Sequence, residues 1–136
     1  VLAKARLVRG VRQPGRKAQA DRRAPAAFVE QPQLGGDDEI IHRAALAYAS
    51  DYSLLEPVLR RHGTTWATPG LKVASLDHAM GWHRFGRVDE WLLYVQESPN
   101  AIGGRGLAMG RIFSRDGLLL ATVAQEGMFR VPADPA

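Results

Sequence analysis

One polar residue stands where the surrounding pattern calls for an apolar one, and its amide could position a water or a substrate. Gln125 interrupts a strand-like face that otherwise holds Leu119, Ala121, Val123 and Phe129. A buried amide without partners costs about 1–3 kcal/mol, so its hydrogen bonds must be supplied. Two interpretations follow: a structural bond to a neighbouring backbone group, or a donor aimed at a substrate oxygen or a water.

Asp51 poses a similar question on a predicted helix. It lies close to an apolar stripe, where a carboxylate must be solvated, paired or functional. The sequence leaves two interpretations, a solvated residue on the flank of the helix or a carboxylate that takes part in chemistry.

Other reactive constellations are not indicated. The four histidines lack the spacing of metal ligands and there is no cysteine to complete a site, so no metal or cofactor is predicted: His42, His62, His78 and His83. Ser75 and Asp77 share one face of a predicted strand and His78 points to the other, which excludes a local nucleophile triad. We expect the histidines to serve packing or to lie on the surface.

One long helix is predicted over residues 37–55. Its start is acidic, as a helix N-terminus prefers, and apolar residues recur on one side at helical spacing. We expect that stripe to be buried: Ile41, Ala45, Tyr48, Ala49, Tyr52 and Leu55.

Four strand-like stretches follow the helix, at residues 71–85, 91–98, 106–114 and 118–130. Asp116-Gly117 is a strong hairpin turn, and the other connections are short, so the strands are predicted to be antiparallel neighbours. The small residues Gly106, Ala108 and Gly110 mark a face that a helix could approach closely. The fold class is therefore α+β, with an antiparallel sheet wrapped around one long central helix.

The 136 residues suit one domain, and charge separates it from a leading segment. Residues 1–37 hold eight Lys or Arg against three acidic residues, whereas residues 38–136 hold ten against eleven. We divide the chain into a basic segment (1–36), the domain (37–130) and a tail (131–136). In the basic segment, residues 1–11 could form an edge strand, and the rest is expected to be loop or disordered.

The basic segment raises a nucleic-acid alternative. Binding of that kind would weaken steeply with salt and would disappear on removal of residues 1–36. A charge run of this type is more typical of a solvated tail, so no nucleic-acid partner is predicted. The sequence has no run of 18 apolar residues and no signal segment, which predicts a soluble cytoplasmic protein without a membrane partner.

Five motifs occur in order along the predicted domain: Leu46 to Asp51, Ala74 to His78 with Trp82 to Arg84, Glu90 to Tyr94, Arg105 to Gly106 through Asp116 to Leu118, and Gln125 to Gly127. Together with one helix followed by four strands, they closely resemble the C-terminal half of the acyl-CoA thioesterase II family. The resemblance implies a hotdog fold, and it covers about residues 37–130. Gly81 departs from the pattern, in which an aromatic residue is expected beside Trp82.

The resemblance also implies an activity and its residues. Enzymes of this family look like two hotdog halves in one chain, about twice the length seen here. They hydrolyse acyl-CoA to free fatty acid and CoA with a water held by three side chains. Carried over, these are Asp51, Ser75 (where the family commonly has Thr) and Gln125. A carboxylate can accept the water's proton while an amide and a hydroxyl fix that water.

Two alternatives remain open for function and assembly. The chain could be a non-catalytic acyl-CoA-binding or structural hotdog half that needs a partner domain. Its strands carry apolar residues on both faces, Leu92 and Tyr94 against Leu93 and Val95, so a lone monomer would expose a large patch. We therefore predict a homodimer or higher homo-oligomer, or pairing with a second hotdog half.

Overall fold

The computed structural model describes residues 6–7, 23–29 and 36–131, which form two helices beside one antiparallel sheet. The elements are β1 (Arg6–Leu7), β2 (Arg23–Val29), α1 (Glu39–Asp51), α2 (Glu56–Arg61), β3 (Lys72–Ser75), β4 (Ala79–Trp82), β5 (Leu92–Ile102), β6 (Arg105–Ser114) and β7 (Leu119–Arg130). The sheet order is β1-β2-β5-β6-β7-β3, and β4 also pairs with β7. The predicted α+β hotdog architecture, a sheet around a long helix, is confirmed. No helix in these ranges is long and apolar enough to cross a membrane.

The start of α1 agrees with its acidic sequence. The Asp38 carboxylate caps the helix by accepting from the Ile40 amide at 2.9 Å, and Glu39 pairs with Arg43 one turn later. The helix ends at Asp51, four residues earlier than predicted. Pro57 lies in the first turn of α2, where its missing N–H has no intrahelical acceptor to lose.

The predicted buried stripe is wrong for its three large residues on α1 and at its C-cap, whereas Ala45 packs against the core and Leu55, beyond the helix end, is buried as predicted. The buried residues are His42, Leu46 and Ser50, whereas Ile41, Tyr48 and Tyr52 are exposed, Tyr48 by 61% and Tyr52 by 66%. Polar groups can face the sheet because each is satisfied there. His42 accepts from the Val88 amide at 3.3 Å and bonds the Gly36 carbonyl at 3.1 Å, which fixes both ring nitrogens.

The single strand predicted over residues 71–85 is also wrong, because the structure divides it into β3 and β4. The connection between them leaves the sheet and is held by β7: the Leu76 amide donates to the Glu126 carbonyl at 2.9 Å. The Asp77 carboxylate accepts from the Glu126 amide at 2.7 Å. Both short strands then pair with successive parts of the same partner, β7.

The β6–β7 hairpin follows the sequence closely, whereas β5 extends four residues beyond the predicted end at residue 98. β6 and β7 are joined through Asp116-Gly117, where Gly117 has a φ of 81° as the turn requires. The close approach predicted at the small-residue face is confirmed, because a Cβ on Gly106 would lie 2.3 Å from Val58 Cγ1 of α2. α2 therefore packs directly on the backbone of β6.

The segment before residue 36 contains more structure than expected. Arg6–Leu7 lies at the edge of the sheet, as the alternation near the start suggested. Arg23–Val29, expected to be loop or disordered, pairs antiparallel with β5 with an irregular register between Ala24 and Ala27. Pro25 lies in that irregular stretch, which is consistent with its lack of a ladder donor.

An ion pair closes the loop between β4 and β5 against the start of α1. Arg87 donates to both oxygens of Asp89, at 3.0 and 2.8 Å, and also pairs with Asp37. The hydrogen bonds from Arg87 lower the pKa of the Asp89 carboxyl below its usual value. A carboxyl with a lowered pKa stabilises the fold above its unfolded-state pKa, and that contribution is lost as the pH falls through the folded-state pKa.

We therefore expect Arg87→Ala to lower the urea midpoint at neutral pH, with a difference from wild type that shrinks as the pH falls through the lowered folded-state pKa of Asp89. Urea titrations at several pH values measure this difference. Arg115→Ala, in the exposed turn before β7, is the control and should leave the midpoint unchanged. A difference that stays constant across this pH range would contradict the assignment to Asp89.

Candidate active site

Asp51 is the last residue of α1, and its side chain is 55% exposed. One carboxylate oxygen, Oδ1, accepts a hydrogen bond of 2.5 Å from Gln125 Nε2. The carboxylate is thus fixed by the sheet on one side and open to solvent on the other. A base that must meet a substrate needs both conditions.

Gln125 lies in the middle of β7 with its side chain facing the helix and 1% exposed. Its cross-strand neighbour on β6 is Ala108, whose small side chain leaves room for the amide. Nε2 donates to Asp51 and also to Ser75 Oγ, which uses both amide hydrogens. Among the residues that the structure describes, no donor reaches the buried Oε1 atom.

Ser75 ends β3 and pairs with Gly127, a register that brings its side chain beside Gln125. Its hydroxyl accepts from Gln125 and donates to the Asp77 carbonyl at 3.2 Å. The end of α1, the end of β3 and the middle of β7 thus meet at the Gln125 amide. Asp51, Ser75 and Gln125 therefore lie within hydrogen-bonding distance of one shared amide, and their joint hold on a water and their catalytic role stay predictions.

His78 joins this group, which the sequence interpretation missed. Its Nδ1 lies 4.0 Å from Asp51 Oδ1, and its Nε2 lies 3.0 Å from Ser50 Oγ. A continuous strand would have turned His78 away from Ser75, but the residue lies in the connection between β3 and β4, where strand alternation does not apply. The signal available in the sequence was the position of His78 directly after Asp77, in the same motif as Ser75.

The end of α1 is also held from β5. Tyr94 donates to the Ser50 carbonyl at 3.0 Å, and Gln96 donates to Ser53 Oγ at 2.7 Å just beyond the helix. Burial raises the pKa of the Tyr94 phenol, so the hydroxyl remains a donor at neutral pH. Ser50, the residue before Asp51, is therefore held by Tyr94 at its carbonyl and by His78 at its hydroxyl.

Comparison with known proteins places this geometry in a family. A family model described as acyl-CoA thioesterase matches residues 5–128, which is most of the chain. The chain belongs to the acyl-CoA thioesterase family. The matched range includes all three members of the predicted triad and also β1 and β2.

Two relatives define the extent of the match to the acyl-CoA thioesterase family. Acyl-CoA thioesterase 2 of Haemophilus influenzae is 46% identical over 90 residues, which are 66% of this chain and 32% of that protein. Acyl-coenzyme A thioesterase 8 of Mus musculus is 44% identical over 98 residues, 72% of this chain and 30% of that protein. The matched stretch spans about a third of the length of these curated relatives.

A solved structure of the acyl-CoA thioesterase family shares the fold. Acyl-CoA thioesterase II TesB2 from Mycobacterium marinum superposes with a TM-score of 0.74 at 41% identity. The superposition covers 92% of this chain and 46% of that one. One hotdog unit of this family is therefore present in the sequence given.

Proposed function

We propose that this hotdog unit hydrolyses acyl-CoA thioesters to a free carboxylic acid and CoA, with Asp51, Ser75 and Gln125 as its catalytic group. Family membership supports the reaction class, and the three side chains support the site. The observation that carries the proposal is the shared Gln125 amide, which ties a solvent-accessible carboxylate to a hydroxyl at the end of β3.

The chemistry assigns a distinct role to each group. The Asp51 carboxylate accepts a proton from water as the water oxygen bonds to the thioester carbonyl carbon. The carbon–sulfur bond then breaks, and the CoA thiolate takes that proton, so atoms and charge balance. Gln125 and Ser75 hold the carboxylate in place, which lowers the entropic cost of aligning the base and the water.

The unpaired Gln125 Oε1 supports the same role. A buried carbonyl oxygen without a donor costs about 1–3 kcal/mol, which is tolerated where a bound group supplies the missing hydrogen. Oε1 has almost no accessible surface, so we assign the attacking water to the exposed side of the Asp51 carboxylate and leave Oε1 for a donor that enters with the substrate.

Release of free thiol from a panel of acyl-CoAs of increasing chain length tests the proposal. The chain is expected to release thiol above the spontaneous rate, with a preference that identifies the acyl length. Chain that binds acyl-CoA in a titration but releases no thiol would favour the alternative, a non-catalytic acyl-CoA-binding or structural half that needs a partner domain. Chain that neither binds nor hydrolyses acyl-CoA would reject the function. A cytoplasmic location and a role in fatty-acid metabolism remain predictions.

Assembly with a second hotdog unit is part of this proposal. The outer side of α1 exposes Ile41, Tyr48 and Tyr52, and the two tyrosine rings contact each other edge to face with centroids 6.1 Å apart. Exposed apolar surface of this kind is typical of an interaction site. For the chain on its own, we propose that a second copy packs against this helix face and buries well over about 1,000 Å² in total.

The exposed tyrosines provide the test of assembly. Wild-type chain at micromolar concentration is expected to sediment as a dimer or larger, and the double variant Tyr48→Glu, Tyr52→Glu as a monomer, because two buried charges oppose association. Trp66→Glu is the control, since Trp66 is 52% exposed and lies in the loop between α2 and β3. A folded wild-type monomer at that concentration would contradict the assembly.

A further inference from the structure

The ring of His78 lies beside Ser50 and Asp51, the last two residues of α1. Its side chain is 25% exposed and projects from the connection between β3 and β4. Nε2 is 3.0 Å from Ser50 Oγ, and Nδ1 is 4.0 Å from Asp51 Oδ1. The second distance is too long for a hydrogen bond, so the direct bond of the ring is the one to Ser50.

The other bonds of Ser50 decide which group donates. The Ser50 hydroxyl carries one hydrogen, and it donates to the Ala47 carbonyl at 2.8 Å. Its oxygen therefore accepts from the ring, which requires a hydrogen on His78 Nε2.

The end of α1 needs an external support. A helix carries partial negative charge at its C-terminus, so the carboxylate of Asp51 in the last residue is unfavourable there. No basic residue lies in that last turn to compensate. Contacts from outside the helix must therefore hold this turn, and Ser50 receives two of them, from Tyr94 at its carbonyl and from His78 at its hydroxyl.

We propose that His78 is a positioning residue for the hydrolysis. It holds Ser50 from the β3–β4 connection and so keeps the last turn of α1, with the carboxylate of Asp51, aligned with Gln125. The proposal rests on the function proposed above. It assigns His78 no contact with the water or the thioester carbonyl, because its effect reaches Asp51 through the helix.

Kinetics of single and double variants test this route. His78→Ala and Ser50→Ala are each expected to lower kcat by about 10- to 100-fold, the scale of a misplacement near 1 Å, with KM changed less than about threefold. Because both variants remove the same hydrogen bond, the double variant should have a kcat no lower than that of the less active single variant. His78→Gln can still donate an N–H to Ser50 and should recover most of the activity.

The matched control is His62→Ala, which changes an exposed histidine after α2. It should leave kcat and KM unchanged. Losses that multiply in the Ser50–His78 double variant would overturn the positioning role, because His78 would then act independently of Ser50. Equal loss in His78→Gln and His78→Ala would overturn it as well.

A measurement without substrate separates this inference from the function itself. The hydrogen bond from Ser50 to the Ala47 carbonyl predicts a hydrogen on His78 Nε2, which imidazole ¹⁵N resonances report directly. The Nε2 proton should exchange slowly with solvent in the wild type and rapidly in Ser50→Ala. An Nε2 proton that exchanges as rapidly in the wild type as in Ser50→Ala would show that the Ser50–His78 bond is absent and would overturn the proposal even if the chain is active. An inactive chain with the expected slow exchange would reject the function and retain the geometry.

Discussion

Asp51→Asn is expected to lower kcat for acyl-CoA hydrolysis by roughly 10²- to 10⁴-fold, the usual contribution of a general base. Asparagine keeps the shape of the side chain and an oxygen that can accept from Gln125 Nε2. It cannot take a proton from water at neutral pH. Thiol release at saturating acyl-CoA measures kcat, and the urea midpoint is expected to stay close to that of wild type because Asp51 is more than half exposed.

The control for this substitution is Asp116→Asn. Asp116 is exposed in the β6–β7 turn, and Asn-Gly suits such a turn as well as Asp-Gly does. Both variants lose one negative charge, so an effect of net charge alone would appear equally in each. Activity of Asp51→Asn within about threefold of wild type would remove Asp51 from the role of base, and the binding alternative would then be preferred.

The sequence predicted β6 and β7 well, because their signals are local. Alternation along β6 and β7 and the Asp116-Gly117 turn fix the hairpin without reference to the rest of the molecule. Gln125 stood out for the same reason, since a polar residue within an apolar face is visible in one strand. The buried environment that makes it informative is the one found in the structure.

The wrong predictions concern features that are decided by contacts between residues far apart in the sequence. Hydrophobicity alone assigned Tyr48 and Tyr52 to the core, but the buried face of α1 includes His42 and Ser50. Their polar groups find partners on the Val88 backbone and on His78, 46 and 28 residues along the chain. The partner of a buried polar group cannot be identified from helical periodicity.

His78 illustrates the same limit within the site. Residues 71–85 alternate well enough to suggest one strand, and a strand separates His78 from Ser75. The structure interrupts it because Glu126 of β7 bonds the backbone of Leu76 and the side chain of Asp77. The interruption depends on the pairing of β3 with β7, which joins residues about 50 positions apart.

Gln125→Ala is expected to lower kcat by roughly 10²-fold, the scale for loss of one preorganised hydrogen-bonding group. The variant removes the amide that donates to both Asp51 and Ser75, so the carboxylate and the hydroxyl lose the hydrogen-bond donor that they share. Stability should fall by no more than about 1–2 kcal/mol. Asp51 and Ser75 are exposed enough to bond water instead, and removing the unpaired Oε1 offsets part of the loss.

A second buried glutamine provides a matched control for this variant. Gln96 on β5 is 2% exposed, faces the same side of the sheet and donates to Ser53 rather than to Asp51. Gln96→Ala should lower the free energy of unfolding by a similar amount, because both changes empty a similar buried volume. It should keep kcat within about fivefold of wild type, because Gln96 donates to Ser53 and not to Asp51. Urea titrations and thiol release on the same preparations separate the two effects. If Gln125→Ala unfolds while its folded fraction hydrolyses acyl-CoA at the wild-type rate, the amide is structural, and the alignment of Asp51 must come from the contacts of Tyr94 and His78 with Ser50.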